Sequence, residues 1–325
     1  MPTTFIKAIH DAMVEEMRRD DAVFILGEDV GTLGGAFKAT EGLLTEFGAE
    51  RVIDTPIAES LIVGAAIGAA MMGLRPIAEM QFGDFISCAY DQIINMAATL
   101  RYRHGGQASV PMVIRAPSGA GIHGGLFHSQ NPESCFLSTP GIKIVAPATA
   151  YDAKGLLKSA IRDNNPVLFF EHKGLYRKIQ EEIPSKEYLV PLGKAAIRRE
   201  GSDMTFITYS AALYPSLSAA DRLKEEGINV EVIDLRTLKP LDWETVYQSV
   251  RKTSKVVIIH EDRKTGGIGG EISARICEEL FDHLDGPIMR VTSEDTHYAF
   301  SPPLEEFILP NVEKILTKAR TLAAY

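Results

Sequence analysis

The sequence predicts an α/β protein of two parallel-sheet domains, and three observations carry that prediction. Short apolar runs rich in β-branched and aromatic residues recur at Val23 to Leu26, Met112 to Ile114, Ile142 to Val145 and Val167 to Phe170. Gly, Pro or Asp bounds each on at least one side, as expected of buried parallel strands. Helical stretches separate the runs, which is the alternation of an α/β fold. Between Arg177 and Lys194 the chain becomes charged and carries two prolines, which suits an exposed connection between domains.

Each element follows from its residues. Helices are expected over Thr4 to Arg19, Glu59 to Met72, Cys88 to Tyr102 and Tyr151 to Asp163, interleaved with the four strands above. Together they make a first domain over residues 1–180, followed by a linker over 181–194. In residues 195–325, Met204 to Ile207, Val230 to Ile233 and Val256 to Ile259 read as strands, Ala212 to Glu226 as a helix and Thr265 to Gly270 as a glycine-rich turn. This is a second, smaller α/β domain. Inside the apolar helix, Gly64 and Gly68 share one face. Glycine costs a soluble helix about 1 kcal/mol against alanine, so another backbone is expected to approach there, from another subunit or from an internal crossing.

Composition excludes several classes. The chain of 325 residues is 45% hydrophobic and 24% charged, the balance of a globular protein long enough for two cores. Its net charge is −9 and its Lys and Arg are scattered, unlike the basic face that nucleic acid or anionic lipid requires. The longest apolar stretch, Leu61 to Leu74, is interrupted by glycines and shorter than the roughly 20 residues of a membrane span. The N-terminal segment lacks a secretory pattern and carries too many acids for a transit peptide. A cytoplasmic protein is expected, or a mitochondrial matrix protein if a transit peptide has been removed. Cys88, Cys135 and Cys277 are odd in number and far apart, so they are expected as buried reduced thiols rather than disulfides or zinc ligands.

Local chemistry singles out four segments. Glu28 and Asp29 directly follow the first strand, and open α/β sheets bind ligands at the carboxyl ends of their strands; the bland reading is that Asp29 caps and the glycines only turn the chain. Glu59 opens an apolar helix, where an acid either complements the helix dipole or, in apolar surroundings, exchanges a proton with a ligand. The glycine-rich stretch Arg115 to Gln130 holds two of the eight histidines, His123 and His128. Glycines admit a ligand closely and a histidine titrates near neutrality, so the loop is a functional candidate. The run Gly266 to Gly270 suggests a phosphate loop only weakly, because Gly-Lys-Ser/Thr is missing and Glu271 sits at the helix start.

At these same segments the chain carries GEDVG with GGAFKATEGL, RVIDTPIAES, RPIAEMQF, RYRHGG, HSQNPES, PGIKIVAPATAYDAKGLL, RDNNPVLFFEHK, DLRTLKPLD and TGGIGGEI. In these motifs it resembles the β subunits of the pyruvate, branched-chain 2-oxoacid and acetoin dehydrogenases, transketolase-like enzymes that use thiamine diphosphate. The resemblance spans nearly the whole chain in order. It implies an N-terminal pyrimidine-binding domain and a C-terminal transketolase-like domain. Glu59 would be the acid that bonds the aminopyrimidine ring nitrogen and favours its imino form. Phe85 would pack on that ring, with Gln81 and Ile57 beside it, and Glu28 would connect proton transfer. His128 would act at the substrate and in passing the acyl group to lipoamide, with His123 a second matched histidine. Asp163 and Asn165 resemble a structural cation site for potassium.

One absence matters as much. Thiamine enzymes complete in one chain carry Gly-Asp-Gly and a downstream Asn that hold the diphosphate through magnesium. This chain has Gly83-Asp84-Phe85 instead, and its Asn164-Asn165 lies too far along. The resemblance therefore implies an α subunit that holds the magnesium, in a tetramer of two α and two β chains, and a lipoyl-bearing acyltransferase as further partner. HGGLFHSQNPE and MQFGDF favour a branched-chain 2-oxoacid as substrate, ahead of pyruvate and then acetoin. The alternatives of another class are a catalytically empty scaffold subunit and a thiamine enzyme complete in this one chain.

Overall fold

Thr4 opens the chain's first helix by accepting the Lys7 amide with its hydroxyl. The computed structural model describes residues 2–325 and divides them into two units, residues 2–118 with 135–192, and residues 119–134 with 193–325. The first unit runs α1 (Phe5–Arg19), β1 (Val23–Gly27), β2 (Val52–Asp54), α2 (Glu59–Met71), β3 (Arg75–Glu79), β4 (Val113–Ser118), β5 (Lys143–Val145), α3 (Ala150–Arg162) and β6 (Val167–His172). Six of its strands pair in parallel, in the order β5-β6-β4-β3-β1-β2. Every residue of β1, β4 and β6 is buried, as sheets covered on both faces require.

Several charges inside this unit are paired. Lys154 and Lys158 of α3 both reach Glu15 of α1, and Arg162 forks onto the buried Glu16. Deeper still, Arg115 of β4 is fully buried between Glu79 of β3 and Glu171 of β6. It forks onto Glu171 at 2.6 and 2.7 Å, and the Tyr176 hydroxyl donates to the same carboxylate at 2.8 Å.

The second unit adds β7 (Ala196–Arg199), β8 (Met204–Thr208), α4 (Leu213–Glu225), β9 (Val230–Asp234), α5 (Trp243–Thr253), β10 (Val256–Arg263), α6 (Ile268–Leu280), β11 (Met289–Ser293), α7 (Pro302–Ile308) and α8 (Val312–Ala323). Its sheet order is β11-β10-β8-β9-β7, parallel except for β7 against β9. The loop 119–134, expected within the first domain, belongs here. Ala120 packs with Tyr298 and Ile308, and the Ala120 amide donates to Glu261 at 2.6 Å.

Three further expectations change. Cys88 to Tyr102 is not one α-helix but a 3-10 turn over Gly83–Ala89, a π turn over Gln92–Ala97 and a short helix Leu100–Arg103. Thr99 contributes to the break by turning its hydroxyl back onto the Asn95 carbonyl at 2.6 Å. The expected linker is pinned to the first unit as far as Leu192: Gln180–Glu181 pairs with Thr3–Thr4, Tyr188 stacks on Tyr151 at 4.4 Å, and Val190 is buried. The three cysteines form no disulfide among the described residues, and they are exposed rather than buried. Cys277 lies off the buried stripe Ile268, Ile272, Ile276 and Leu280, while Cys88 and Cys135 sit on short turns that bury only their neighbours.

Candidate active site

The carboxyl ends of β2, β1 and β3 are adjacent, because Gly27 pairs with Asp54 on one side and Glu79 on the other. Glu28 leaves the middle strand, Glu59 opens α2 after the turn from β2, and Gln81 and Phe85 follow β3. The topology thus collects the acids at the place where open α/β sheets bind ligands. Gly27 is needed for this, since a Cβ there would lie 2.9 Å from the Glu79 carbonyl.

Glu28 is 5% exposed, and its Oε1 is buried without a partner among the described residues. Burial raises its pKa, and the charges of Glu59 and Asp29 raise it further. Glu28 and Glu59 are therefore electrostatic neighbours. Glu59 is the first residue of α2, and the N-cap, Ala58, offers no side-chain bond. Asp54, at the end of β2, accepts the Gly31 amide at 2.6 Å and the Thr32 amide at 3.3 Å and so fixes the loop after β1. Asp29 stands at φ 56°, and Gln81 donates to its carboxylate at 3.3 Å. Phe85 meets Phe82 edge-on at 6.4 Å, and Phe82 meets Phe37 at 5.4 Å. Ile57 is 82% exposed, an apolar side chain left open. Gly64 and Gly68 also face open space, with nothing within 4 Å of a Cβ at Gly68 and only Gln92 at 3.9 Å from Gly64. No internal crossing among the described residues explains them.

In the second unit, His123 stands at φ 59° with its Nδ1 on Glu305 at 2.7 Å. His128 ends a 3-10 turn over Gly125–Phe127, where a Cβ on Gly125 would strike the Phe300 ring at 2.3 Å. Sequence reasoning missed the acids beneath this loop. Glu133 is buried and accepts the Tyr209 hydroxyl at 2.7 Å. Burial and the Asp262 charge push its pKa up to about 8. Within the glycine run 266–270, Gly267 and Gly269 are close-packing positions. A Cβ on Gly269 would come 2.6 Å from Nε2 of the buried His260, which accepts the Gly269 amide at 3.2 Å.

Asp163 and Asn165 do meet, but the aspartate is already taken. Its Oδ1 accepts the Asn165 amide and side chain at 2.8 and 2.9 Å, its Oδ2 pairs with Lys143, and its carbonyl accepts Arg75. Burial would raise its pKa, yet these partners hold it below the usual range. The Asp163 carboxylate is therefore engaged by Lys143 and Asn165. No cluster of three His, Cys, Asp or Glu among the described residues could hold a metal, and no helix there is long and apolar enough to cross a membrane.

Comparison with known proteins agrees with this architecture. Residues 2–178 match the transketolase pyrimidine-binding domain, and residues 193–315 match the transketolase C-terminal domain. Fold and strand-end acids thus define a transketolase-like protein. The chain is 52% identical over 323 residues to the 2-oxoisovalerate dehydrogenase subunit beta of Bacillus subtilis (strain 168), covering 99% of both chains. It is 46% identical over 322 residues to the pyruvate dehydrogenase E1 component subunit beta of the same organism, again covering 99% of both. The chain belongs to the family of 2-oxoacid dehydrogenase β subunits. In fold it resembles a split-gene transketolase solved as an inactive beta4 tetramer, with a TM-score of 0.80, 23% identity and coverage of 100% of this chain and 99% of that one.

Proposed function

We propose that this chain is the β subunit of a branched-chain 2-oxoacid dehydrogenase, acting with an α subunit and thiamine diphosphate to decarboxylate the oxoacid oxidatively and pass the acyl group to a lipoyl carrier. The observation that carries the reading is the Glu28–Glu59 pair at the ends of three adjacent parallel strands, beside Gln81 and Phe85. A buried carboxylate oxygen without a partner, an acid at a helix start and an aromatic ring suit a flat, nitrogen-bearing heterocycle such as an aminopyrimidine. When bound, the cofactor supplies the carbon nucleophile that attacks the 2-oxoacid carbonyl.

The chain's own residues prepare that step. Glu59 holds a proton at the pyrimidine ring nitrogen. Glu28, its pKa raised by burial and by Glu59, retains a proton more readily than an exposed acid and relays it. Phe85 and Ile57 pack the ring and exclude water, and Gln81 steadies Asp29. His123 and His128 serve the substrate and the lipoyl transfer. The diphosphate and magnesium belong to the α subunit, because Gly83-Asp84-Phe85 replaces the segment that would bind them. Open Gly64 and Gly68 on α2 suit close docking of that subunit.

The greater identity to the 2-oxoisovalerate enzyme supports the branched-chain assignment, and the 46% identity to a pyruvate enzyme makes pyruvate the second reading. The test is turnover by a purified αβ assembly on 2-oxoisovalerate, pyruvate and acetoin. The highest kcat/KM is expected with 2-oxoisovalerate. A pyruvate preference would replace the assignment, and no turnover of any would remove it.

A further inference from the structure

We infer that Glu305 is the positioning residue for His123, turning the imidazole so that Nε2 is the nitrogen it presents to a ligand. This rests on the proposed function for its role in turnover, but its geometry stands apart from it. An ionised carboxylate can only accept, so the 2.7 Å contact between Oε2 and His123 Nδ1 places the ring hydrogen on Nδ1. In the neutral ring Nε2 then carries the lone pair. The carboxylate is itself fixed. Glu305 lies on α7, is 2% exposed, and accepts the Gly121 amide on its other oxygen at 3.0 Å. The ring it holds is half exposed, with a side chain 52% accessible.

Two further features show that the pairing is built in. His123 occupies left-handed backbone, which a side-chain-bearing residue keeps only where its surroundings impose it. A second acid, Glu261, clamps both ends of the same loop, accepting the Ala120 amide at 2.6 Å and the Asn131 side chain at 2.9 Å, while the Tyr298 hydroxyl donates to its carbonyl at 3.0 Å. The loop therefore has two acid anchors, and Glu305 also holds the His123 imidazole. A carboxylate that orients a histidine fixes its tautomer and direction, the arrangement found behind catalytic and metal-binding histidines alike.

Glu305→Gln tests this at constant size. The amide oxygen can still accept Gly121, but the amide nitrogen then faces Nδ1, which must accept, and the ring hydrogen moves to Nε2. In the intact αβ assembly, diethyl pyrocarbonate is the probe, because it attacks the ring nitrogen that carries a lone pair. Carbethoxylation of His123, followed by mass spectrometry, is expected to slow about tenfold or more in Glu305→Gln, with acyl transfer to a lipoyl domain falling about 10- to 100-fold. The double variant with His123→Asn is expected to be no slower than His123→Asn alone. An unchanged carbethoxylation rate, or losses that add in the double variant, would overturn the inference. If Glu305→Gln does not fold, the wild-type product decides: substitution at Nε2, read by nuclear magnetic resonance of the ring protons, supports it, and substitution at Nδ1 overturns it. A wild-type assembly that turns over no 2-oxoacid would sink the functional reading while leaving the carbethoxylation result intact.

Discussion

Replacing Arg115 by Met probes how the sheet under the strand-end acids is held. Arg115 is the cation between Glu79 and Glu171, all three are buried, and Tyr176 adds a hydrogen bond to Glu171. Burial pushes the Glu79 carboxyl up, Arg115 pulls it down and Glu171 adds to the rise. Methionine fills much of the volume but strands two acids without a cation. Removing one partner of a buried ion pair costs about 3–5 kcal/mol. For a domain of this size, about 2–4 °C per kcal/mol makes that a fall of roughly 6–20 °C in Tm. The sign of the pH dependence follows from linkage. Acids whose folded pKa exceeds the unfolded value bind more protons when folded, so the defect should shrink as pH falls from 8 to 5. Scanning calorimetry of both proteins across that range is the assay. A Tm within about 2 °C of wild type, or a defect that grows toward low pH, would refute the reasoning.

Three other outcomes follow from the same geometry. Gly269→Ala drives a Cβ to 2.6 Å from His260 and should cost about 1–3 kcal/mol in urea unfolding. Glu133, raised by burial and Asp262 from 4.5 to about 8, contributes stability that is fully present below pH 4.5 and lost as pH rises through about 8. Glu133→Gln should flatten that decline in a Tm-against-pH series. Gly68→Leu meets nothing within 4 Å, so the chain should fold as wild type while co-purification with the α subunit is lost.

Much of the fold was legible because its strands are buried on both faces and so spell out as apolar runs, as β1, β6, β8 and β10 do. α1 and α3 were legible as helical stretches between the strands, and the structure caps them with Thr4 and Thr149, each accepting from the first turn. Two strands were not: β2 exposes two of its three residues, and β3 carries Pro76. The run 88–102 reads as helical by composition, but its break depends on backbone geometry that no periodicity reports. For the site, Glu28 and Glu59 were legible from their place after a strand and before a helix. The anchors of the histidine loop were not, because Glu261 and Glu305 lie more than a hundred positions from the amides they accept. Exposure of Cys88, Cys135 and Cys277 was equally hidden, since it depends on which side of a turn each residue occupies.

The central claim is that this chain supplies the proton-handling end of a shared thiamine site through Glu59. Glu59→Gln keeps the side chain's size and removes only its acid function. In a co-expressed αβ assembly that still binds thiamine diphosphate, decarboxylation of 2-oxoisovalerate is expected to fall by at least about a hundredfold. An unchanged rate at full cofactor occupancy would contradict the account.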